Sequence, residues 1–159
     1  MHTYEVTHRV GHSARNMFDL VADIEKYPGY LPLCEDLKIV RREERDGKQV
    51  LSAKMQVGYK LIRESRTTEV VLDPAERLIL VEYLDGPFSF LQNRWHFKPL
   101  TDTSCDIHFY IRYSFRSRML ERLMGGLFAK AVRKYTEAFE ERADKVYGPP
   151  SMKPRSISA

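Results

Sequence analysis

The recurrence of apolar positions is clearest in the last third of the chain, from residue 117 to 147. There they repeat every three or four residues, the spacing of one face of an α-helix. They are Leu120, Leu123, Met124, Leu127, Phe128, Ala131, Val132, Tyr135, Ala138 and Phe139. Ser117 is a suitable N-cap, and Gly148 followed by two prolines ends the pattern. The sequence therefore predicts a helix roughly 45 Å long with one buried side.

Two adjacent glycines, Gly125 and Gly126, lie in the middle of this predicted helix. Each costs roughly 1 kcal/mol relative to alanine in a helix interior. Two interpretations are open at this point. The glycines either let a strand approach the helix closely or leave space for a ligand beside it.

The first thirty residues change pattern twice. Tyr4 to Val10 alternate as in a β-strand. Ser13 is then the expected cap of a short helix, and a second short helical segment or turn starts at Ile24. The first of these helices presents one apolar face, formed by Met17, Phe18, Val21 and Ala22. The expected order at the N-terminus is therefore strand, helix, and helical turn.

The segment from residue 27 to 34 combines chain-breaking residues with large apolar ones. Pro28, Gly29 and Pro32 oppose regular structure. An ordinary solvated loop would not carry so many large apolar side chains. The segment either packs onto the core of its own domain or contacts a ligand or a membrane. Its candidate membrane-contact residues are Tyr27, Tyr30, Leu31 and Leu33.

Between residues 36 and 115 the pattern has a period of two, as in β-strands. Asp46-Gly47 between two such runs is a strong hairpin signal, whereas the inward face of Lys60–Leu72 is not assigned by the pattern. The predicted inward residues are Leu51, Ala53, Met55, Val57, Tyr59, Leu91, Asn93, Trp95, Phe97, Cys105, Ile107, Phe109, Ile111, Tyr113 and Phe115. About seven strands with short turns indicate an α+β fold, in which a curved antiparallel sheet grasps the long helix.

Length and composition are consistent with one soluble domain. The 159 residues predict a single domain over residues 1–148, and the Pro, Ser and Lys content of residues 149–159 predicts a disordered tail. The net charge of +4 hints at an anionic surface partner, but acidic and basic residues alternate almost everywhere. No apolar run is long enough to span a bilayer, and the N-terminus reads as a strand and not as a signal peptide.

Side chains that could perform catalysis are not grouped in the sequence. The histidines at positions 2, 8, 12, 96 and 108 lack metal-ligand spacing and are expected to be solvated, with His96 and His108 on outward strand positions. Cys34 and Cys105 are expected to be buried and unreactive. An enzyme would need a titratable group inside the fold. The candidates for such a group are Arg63, Glu64 and Glu82.

Three motifs in order carry a family resemblance. They are the segment Tyr27–Cys34, the pair Asp85–Phe88 and Trp95–Phe97, and the helical stretch Ala138–Ala143. Together they resemble the coenzyme-Q-binding branch of the START-like superfamily. That branch includes mitochondrial ubiquinone-binding chaperones and bacterial relatives labelled polyketide cyclase/dehydrase or ribosome-association toxin. The chain departs from the family at Tyr30 and Leu33, where a Phe and a Trp are usual.

The resemblance implies a helix-grip fold with an apolar cavity between the sheet and the long helix. It implies a non-catalytic carrier of a ubiquinone-like prenyl lipid that supports respiration, with no cofactor. Such a carrier is expected in the cytoplasm, peripherally associated with the inner membrane. The ligand-binding residues predicted on this basis are Leu31, Met55, Val57, Leu91, Asn93, Trp95, Phe109, Met119, Leu123, Met124 and Phe128. For any one of them, ordinary core packing is the alternative, and Asn93 either meets the ligand head group or bonds to backbone.

A second function stays open beside the carrier. A translation inhibitor would act on the ribosome through basic residues, and DNA is not an expected partner. The local basic clusters are Arg116, Arg118 and Arg122 on the helix and the stretch 153–155 in the tail. Aromatic side chains that could stack on RNA are not interleaved with them, so this interpretation ranks below the carrier. A cyclase-type enzyme ranks third.

Overall fold

We describe the protein from a computed structural model that covers residues 1–59, 62–153 and 155–157, with side chains described for residues 1–58 and 65–153. The elements, in chain order, are β1 (His2–Val10), α1 (Ala14–Ala22), a 3₁₀ helix (Ile24–Gly29), β2 (Cys34–Arg45), β3 (Lys48–Tyr59), β4 (Ile62–Asp73), β5 (Leu78–Asp85), β6 (Phe88–Thr101), β7 (Ser104–Phe115), α2 (Arg118–Tyr147) and β8 (Arg155–Ile157).

All the strands belong to one sheet in the order β2-β3-β4-β5-β6-β7-β1-β8. Strands β2 to β7 pair antiparallel with their neighbours in sequence, and β1 then pairs antiparallel with β7. The N-terminal strand thus lies beside the last strand of the meander, which brings α1 and α2 to the same side of the sheet. The predicted α+β helix-grip architecture is confirmed.

The hairpin between β2 and β3 shows how the local sequence sets the register of the strands. Asp46 and Gly47 both have positive φ, at 52° and 79°, as the two-residue turn that suits twisted strands requires. The turn places Arg45 opposite Lys48, and an irregularity in the pairing between Ile39 and Arg41 then brings Leu37 opposite Met55. Apolar residues of β2 and β3 therefore face the same side of the sheet.

Strand β4 has an inward face that the sequence pattern did not assign. Its pairing places Thr68 beside Ala53 and Arg66 beside Met55 on the face that covers the helix. Thr68 and Val70 are buried, and Arg66 is partly buried. The inward residues of this strand are thus polar toward one end, which explains why the alternation of apolar and polar residues is weak in the sequence.

The long helix α2 begins and ends where the capping residues predict. Leu120 N donates to the hydroxyl of Ser117 over 3.2 Å, and Gly148 ends the helix with a φ of 95°. The buried side of α2 consists of Leu120, Met124, Phe128, Ala131, Val132, Thr136, Phe139, Glu140 and Ala143. It packs against aromatic rings of the sheet, with Phe128 at 4.7 Å from Tyr113 and Phe139 at 5.1 Å from Trp95 between ring centroids.

The structure corrects the predicted role of four residues at the start of α2. Met119 and Leu123 are 65% and 52% exposed, so they do not line an internal cavity. Gly126 is exposed, and a methyl group there would meet no atom within 4 Å. A methyl group on Gly125 would approach only the side chain of Glu121, at 3.5 Å. The glycines therefore neither admit a strand nor open the interior.

Two histidines differ from the expectation of solvated surface positions. His8 and His12 are each 6% exposed. His8 Nε2 lies 3.2 Å from a carboxylate oxygen of Glu140, and His12 Nε2 lies 2.6 Å from a carboxylate oxygen of Asp144. These contacts join the end of β1 to consecutive turns of α2. The partner carboxylates are far away in sequence, so local spacing could not reveal them.

The residues after Gly148 run back along β1. Ser151 N donates to the carbonyl of Gly11 over 2.8 Å, and residues 155–157 pair with Thr7–Arg9 of β1. At these described residues the structure departs from the disorder that the composition predicts. The reason is that β1 would otherwise be an edge strand with unpaired backbone groups.

Candidate functional site

The candidate site is a cavity between the inward face of the sheet and the second half of α2. Its volume is about 60 Å³. Its walls come from the sheet, from Tyr135 and Phe139 of α2, and from the 3₁₀ segment. The lining residues are Ile24, Tyr27, Leu31, Leu37, Ala53, Met55, Arg66, Thr68, Val70, Ile79, Val81, Asn93, Trp95, Tyr135 and Phe139.

The structure brings together four of the residues predicted to bind a ligand, namely Leu31, Met55, Asn93 and Trp95. The others lie elsewhere. Leu91, Phe109, Met124 and Phe128 are buried in the packed core and do not line the cavity, and Val57 packs against that core without lining the space. The cavity thus lies farther along α2 than the sequence pattern suggested, beside Tyr135 and Phe139 and not beside Met124.

Arg66 is the charged residue of the cavity wall, and sequence reasoning missed it. Its Nη2 lies 3.3 Å from the sulfur of Met55, and its guanidinium carbon lies 5.9 Å from the ring centroid of Phe128. Its Nε is buried and has no hydrogen-bond partner among the described residues. A buried donor without a partner is costly in a folded protein. Arg66 therefore offers an unused hydrogen-bond donor at an apolar space.

Two further polar side chains accompany Arg66 at the cavity. Thr68 is the next inward residue of β4, and Tyr135 of α2 lines the same cavity. Burial raises the pKa of the Tyr135 phenol, and the positive charge of Arg66 opposes that rise. The phenol is therefore a neutral hydrogen-bond donor at ordinary pH. Together these residues present donors to any ligand that carries acceptor oxygens.

Asn93 does not serve as an independent head-group contact, because the protein already uses its amide. Its Nδ2 donates to the carbonyl of Tyr110 over 2.8 Å, and its Oδ1 accepts from Trp95 Nε1 over 2.9 Å. The amide thus fixes the orientation of the indole, whose ring lies in the cavity wall. The alternative interpretation, a buried amide bonded to backbone, is confirmed by the first of these bonds.

The segment from residue 27 to 34 closes one end of the cavity. Leu31 is 8% exposed, and the rings of Tyr27 and Tyr30 pack on Phe139 with centroids 5.3 and 5.7 Å away. The hydroxyl of Tyr27 donates to the carbonyl of Val21. These predicted membrane-contact residues therefore face the interior, and Leu33 beside them is half-buried. This geometry favours a packed segment that also contacts a ligand.

Of the remaining titratable candidates, Glu82 is the one whose side chain is described. Glu82 is exposed on β5, so its predicted place inside the fold is wrong. The side chains of Arg63 and Glu64 lie outside the described residues. Burial raises the pKa of Cys34 to about 11 and that of Cys105 to about 12, so both thiols stay protonated and unreactive, as expected.

Two properties of the described residues bear on the kind of site. Among them no group of three or more His, Cys, Asp or Glu side chains is placed to hold a metal ion. No helix in the described part of the chain is both long and apolar enough to cross a membrane. The cavity is the candidate site because it combines apolar walls with Arg66, whose buried Nε has no partner among the described residues.

Comparisons with known proteins identify the family. A profile of the family described as polyketide cyclase/dehydrase and lipid transport matches residues 10–140. The ribosome association toxin RatA of Vibrio cholerae is 32% identical over 139 residues, which cover 87% of this chain and 93% of that protein. The mitochondrial coenzyme Q-binding protein COQ10 homolog B of Xenopus laevis is 29% identical over 150 residues, or 91% of this chain and 59% of that protein.

A solved structure supports the same assignment at the level of the fold. The Zhui aromatase/cyclase from Streptomyces sp. R1128 superposes with a TM-score of 0.76, covering 91% of this chain and 94% of that chain at 19% identity. Identity this low shows the fold alone. The profile match over most of the chain carries the stronger conclusion: the protein belongs to the polyketide cyclase/dehydrase and lipid transport family, with its START-like helix-grip fold.

Proposed function

We propose that this protein is a non-catalytic carrier of a prenylated quinone or a similar hydrophobic ligand, with Arg66 as its head-group contact. The observation that carries the proposal is the buried Arg66 Nε, which has no partner among the described residues and belongs to a side chain that lines an apolar cavity. Quinone carbonyl oxygens accept hydrogen bonds but carry no charge that must be neutralised. They therefore match a site that combines an arginine, a threonine and a neutral phenol.

The apolar remainder of the cavity suits the rest of such a ligand. Leu31, Met55, Val70 and Ile79 offer hydrocarbon surface, and burial of apolar area stabilises a complex by about 25 cal/mol per Å². A prenyl chain has a large apolar area, so it needs few polar contacts. The name of the Xenopus laevis relative, a coenzyme Q-binding protein, supports this choice of ligand class.

The size of the cavity adds a condition to the proposal. A volume of about 60 Å³ holds a few water molecules. A quinone ring with its chain needs more, so binding requires a wall to move outward. The segment 24–33 is the wall best suited to move, because it belongs neither to the sheet nor to α2 and is joined to β3 by the backbone bond from Gly58 N to Leu33 O. We expect ligand-bound protein to differ most at this segment.

The proposal of a carrier and not an enzyme rests on the chemistry of the described walls. Their titratable side chains are Arg66, Tyr27 and Tyr135. Burial raises the pKa of both phenols, which makes them poor acids near neutral pH. A guanidinium stays protonated near neutral pH and does not act as an acid or a base there.

On this proposal the protein works in the cytoplasm at the inner membrane, where it supports respiratory electron transport by storing or delivering quinone.

The test uses Trp95, which is the only tryptophan of the chain and lines the cavity. A short-chain ubiquinone is titrated into the purified protein while Trp95 fluorescence is recorded, and lipids extracted from the protein as purified are identified by mass spectrometry. Arg66→Met should weaken quinone binding at least tenfold, since a hydrogen bond from a charged donor contributes about 1.5–3 kcal/mol. It should not lower stability, because it removes an unpaired buried donor.

The matched control is Arg77→Met. Arg77 also has a buried Nε without a partner among the described residues, but it does not line the cavity. This variant should bind quinone normally. Equal binding by the wild type and the Arg66 variant, or the absence of any quinone binding by the wild type, would contradict the proposal.

A second candidate function is association with the ribosome. The observation that favours it is the relation to the Vibrio cholerae protein, which is named a ribosome association toxin. The exposed basic residues Arg116, Arg118 and Arg122 are available for RNA in the structure. Sedimentation of the protein with purified ribosomes through a sucrose gradient tests this candidate, and charge reversal at Arg118 and Arg122 should abolish the association.

A further inference from the structure

The outer surface of the first half of α2 combines exposed apolar side chains with concentrated positive charge. We call the exposed residues of the segment 116–134 the outer α2 patch. Among residues with described side chains, Met119 is the most exposed large apolar one, at 65%, and Leu123 is 52% exposed. They are four residues apart on one helix, so they lie on the same face. Gly126 continues that face without a side chain.

The charge of the patch exceeds that of the entire protein. Segment 116–134 contains six basic residues and one acidic residue, a net charge of +5, whereas the whole chain has +4. The rest of the chain is therefore slightly acidic, at −1. The six basic residues are all exposed, and they are Arg116, Arg118, Arg122, Lys130, Arg133 and Lys134. The single acidic residue, Glu121, is engaged by His2 at 2.5 Å.

We propose that the outer α2 patch docks the protein on an anionic lipid surface, with Met119 and Leu123 entering the headgroup region. Each basic residue close to an anionic membrane contributes about 1 kcal/mol, and apolar side chains on the same helix face add to this by leaving water. The basic residues of the patch thus suit the anionic headgroups, and its apolar side chains suit the lipid interface. This docking role deepens the proposed carrier function. It rests on that function in one respect, since carriage of a membrane lipid explains why the protein would bind a membrane.

A membrane fits the patch better than RNA does. Proteins that bind single-stranded RNA stack its bases on exposed aromatic side chains. The only aromatic residue between positions 116 and 134 is Phe128, which is 3% exposed and packs against the sheet. Exposed Met119 and Leu123 gain nothing from a phosphate backbone. Their transfer from water into a lipid interface is favourable.

The patch also differs from the segment that the sequence singled out for membrane contact. Leu31 and the rings of Tyr27 and Tyr30 are occupied by packing against Phe139. Docking through them would require that packing to break. Docking through Met119 and Leu123 leaves every described core contact in place. We therefore assign the membrane contact to the start of α2 and not to segment 27–34.

The experiment is sedimentation of the full chain with vesicles of phosphatidylcholine that contain phosphatidylglycerol, compared with vesicles of phosphatidylcholine alone. The wild type should bind the anionic vesicles more tightly, and salt should weaken that binding. Changing Met119 and Leu123 together to serine should reduce the affinity on the order of tenfold. Arg118→Gln and Arg122→Gln should each reduce it about fivefold.

The matched control is Val146→Ser, a change at another exposed apolar residue of the same helix, which is 49% exposed. It should bind vesicles as the wild type does. Unchanged vesicle binding by the Met119 and Leu123 double variant would overturn the proposal. The proposal would also be overturned if variants of the patch bound vesicles normally but no longer sedimented with ribosomes. That result would assign the surface to RNA.

The same proteins separate this inference from the carrier function. In detergent solution the double variant should still quench Trp95 fluorescence with short-chain ubiquinone, because the cavity is not altered. A wild type that binds anionic vesicles through the patch but binds no quinone would overturn the carrier function and leave the docking surface standing. A wild type that binds quinone but no anionic vesicles would overturn the docking surface and leave the carrier function standing.

Discussion

The segment from residue 27 to 34 and the first three turns of α2 are both rich in apolar residues, yet the fold treats them in opposite ways. In the first, Leu31 is 8% exposed and aromatic rings pack on Phe139. In the second, Met119 and Leu123 are mostly exposed although they continue a helical apolar pattern. The loop-like segment belongs to the interior, and part of the regular helix belongs to the surface.

The difference has a simple cause. A helix of fixed rotation can bury only one side against a sheet, and Leu120, Met124 and Phe128 occupy that side. Met119 and Leu123 each precede one of these residues by one position, and they point outward. An irregular segment has no such periodicity, so it can turn most of its large side chains to one side. Burial therefore depends on the direction of a side chain, and apolar composition alone does not determine it.

The largest predicted effect contrasts Leu31→Asp with Leu123→Asp. Leu31→Asp places an unpaired charge in a buried site and should lower the free energy of unfolding by about 3–5 kcal/mol. Leu123→Asp changes an exposed residue and should stay within about 0.5 kcal/mol of the wild type. Urea denaturation followed by circular dichroism measures both. Similar stabilities of the two variants would remove the distinction between the regions.

The next effect tests whether the core beside the first half of α2 is solid. Met124 is 5% exposed and does not line the cavity. Met124→Trp should therefore overpack that region and cost about 1–3 kcal/mol, as in other filled cores. Quinone binding should persist in the folded fraction. A stable Met124→Trp protein that has lost quinone would place the ligand beside Met124 and contradict the cavity described here.

A smaller effect separates Tyr27 and Tyr30, the two tyrosines of segment 27–34. The Tyr27 hydroxyl donates to the carbonyl of Val21, whereas the buried Tyr30 hydroxyl has no hydrogen-bond partner among the described residues. Tyr27→Phe should thus cost about 1 kcal/mol, while Tyr30→Phe should be neutral or slightly stabilising. Thermal melts of the two variants measure this difference, and the opposite order would show that the segment packs differently.

The smallest effect concerns the glycines of α2. Gly126→Ala adds a methyl group that meets no atom within 4 Å, so it should raise stability by about 0.5–1 kcal/mol through helix propensity. Gly86→Ala is the contrasting change, since Gly86 has a φ of 141° and a methyl group there would lie 2.8 Å from Arg66 Cβ. It should be destabilising. A loss of stability in Gly126→Ala would show that the outer side of α2 is covered.

Much of the fold follows from the sequence, because its signals are local. Caps at Ser13 and Ser117, the turn at Asp46-Gly47 and the period of β7 each act within a few residues. Such signals fix where elements begin, end and bend. The predicted antiparallel sheet and long C-terminal helix depended on nothing else, and the structure confirms them.

The candidate site was predicted only in part. Met55, Asn93 and Trp95 were placed inward by strand alternation and do line the cavity. Arg66 was missed because β4 alternates poorly, so the direction of its side chains follows only from its pairing with β3. A signal did exist: the alternation of β3 places Met55 inward, and the antiparallel pairing of β4 with β3 puts Arg66 directly opposite Met55.

What the sequence by itself determined is therefore the set of elements and the alternation within most of them. The tertiary structure decided how far α2 is rotated on the sheet, which histidines find carboxylates across the fold, and where space is left over. Rotation, distant pairing and unfilled volume depend on side chains from several elements at once. A period of 2 or 3.6 residues describes one element at a time, and so it cannot contain that information.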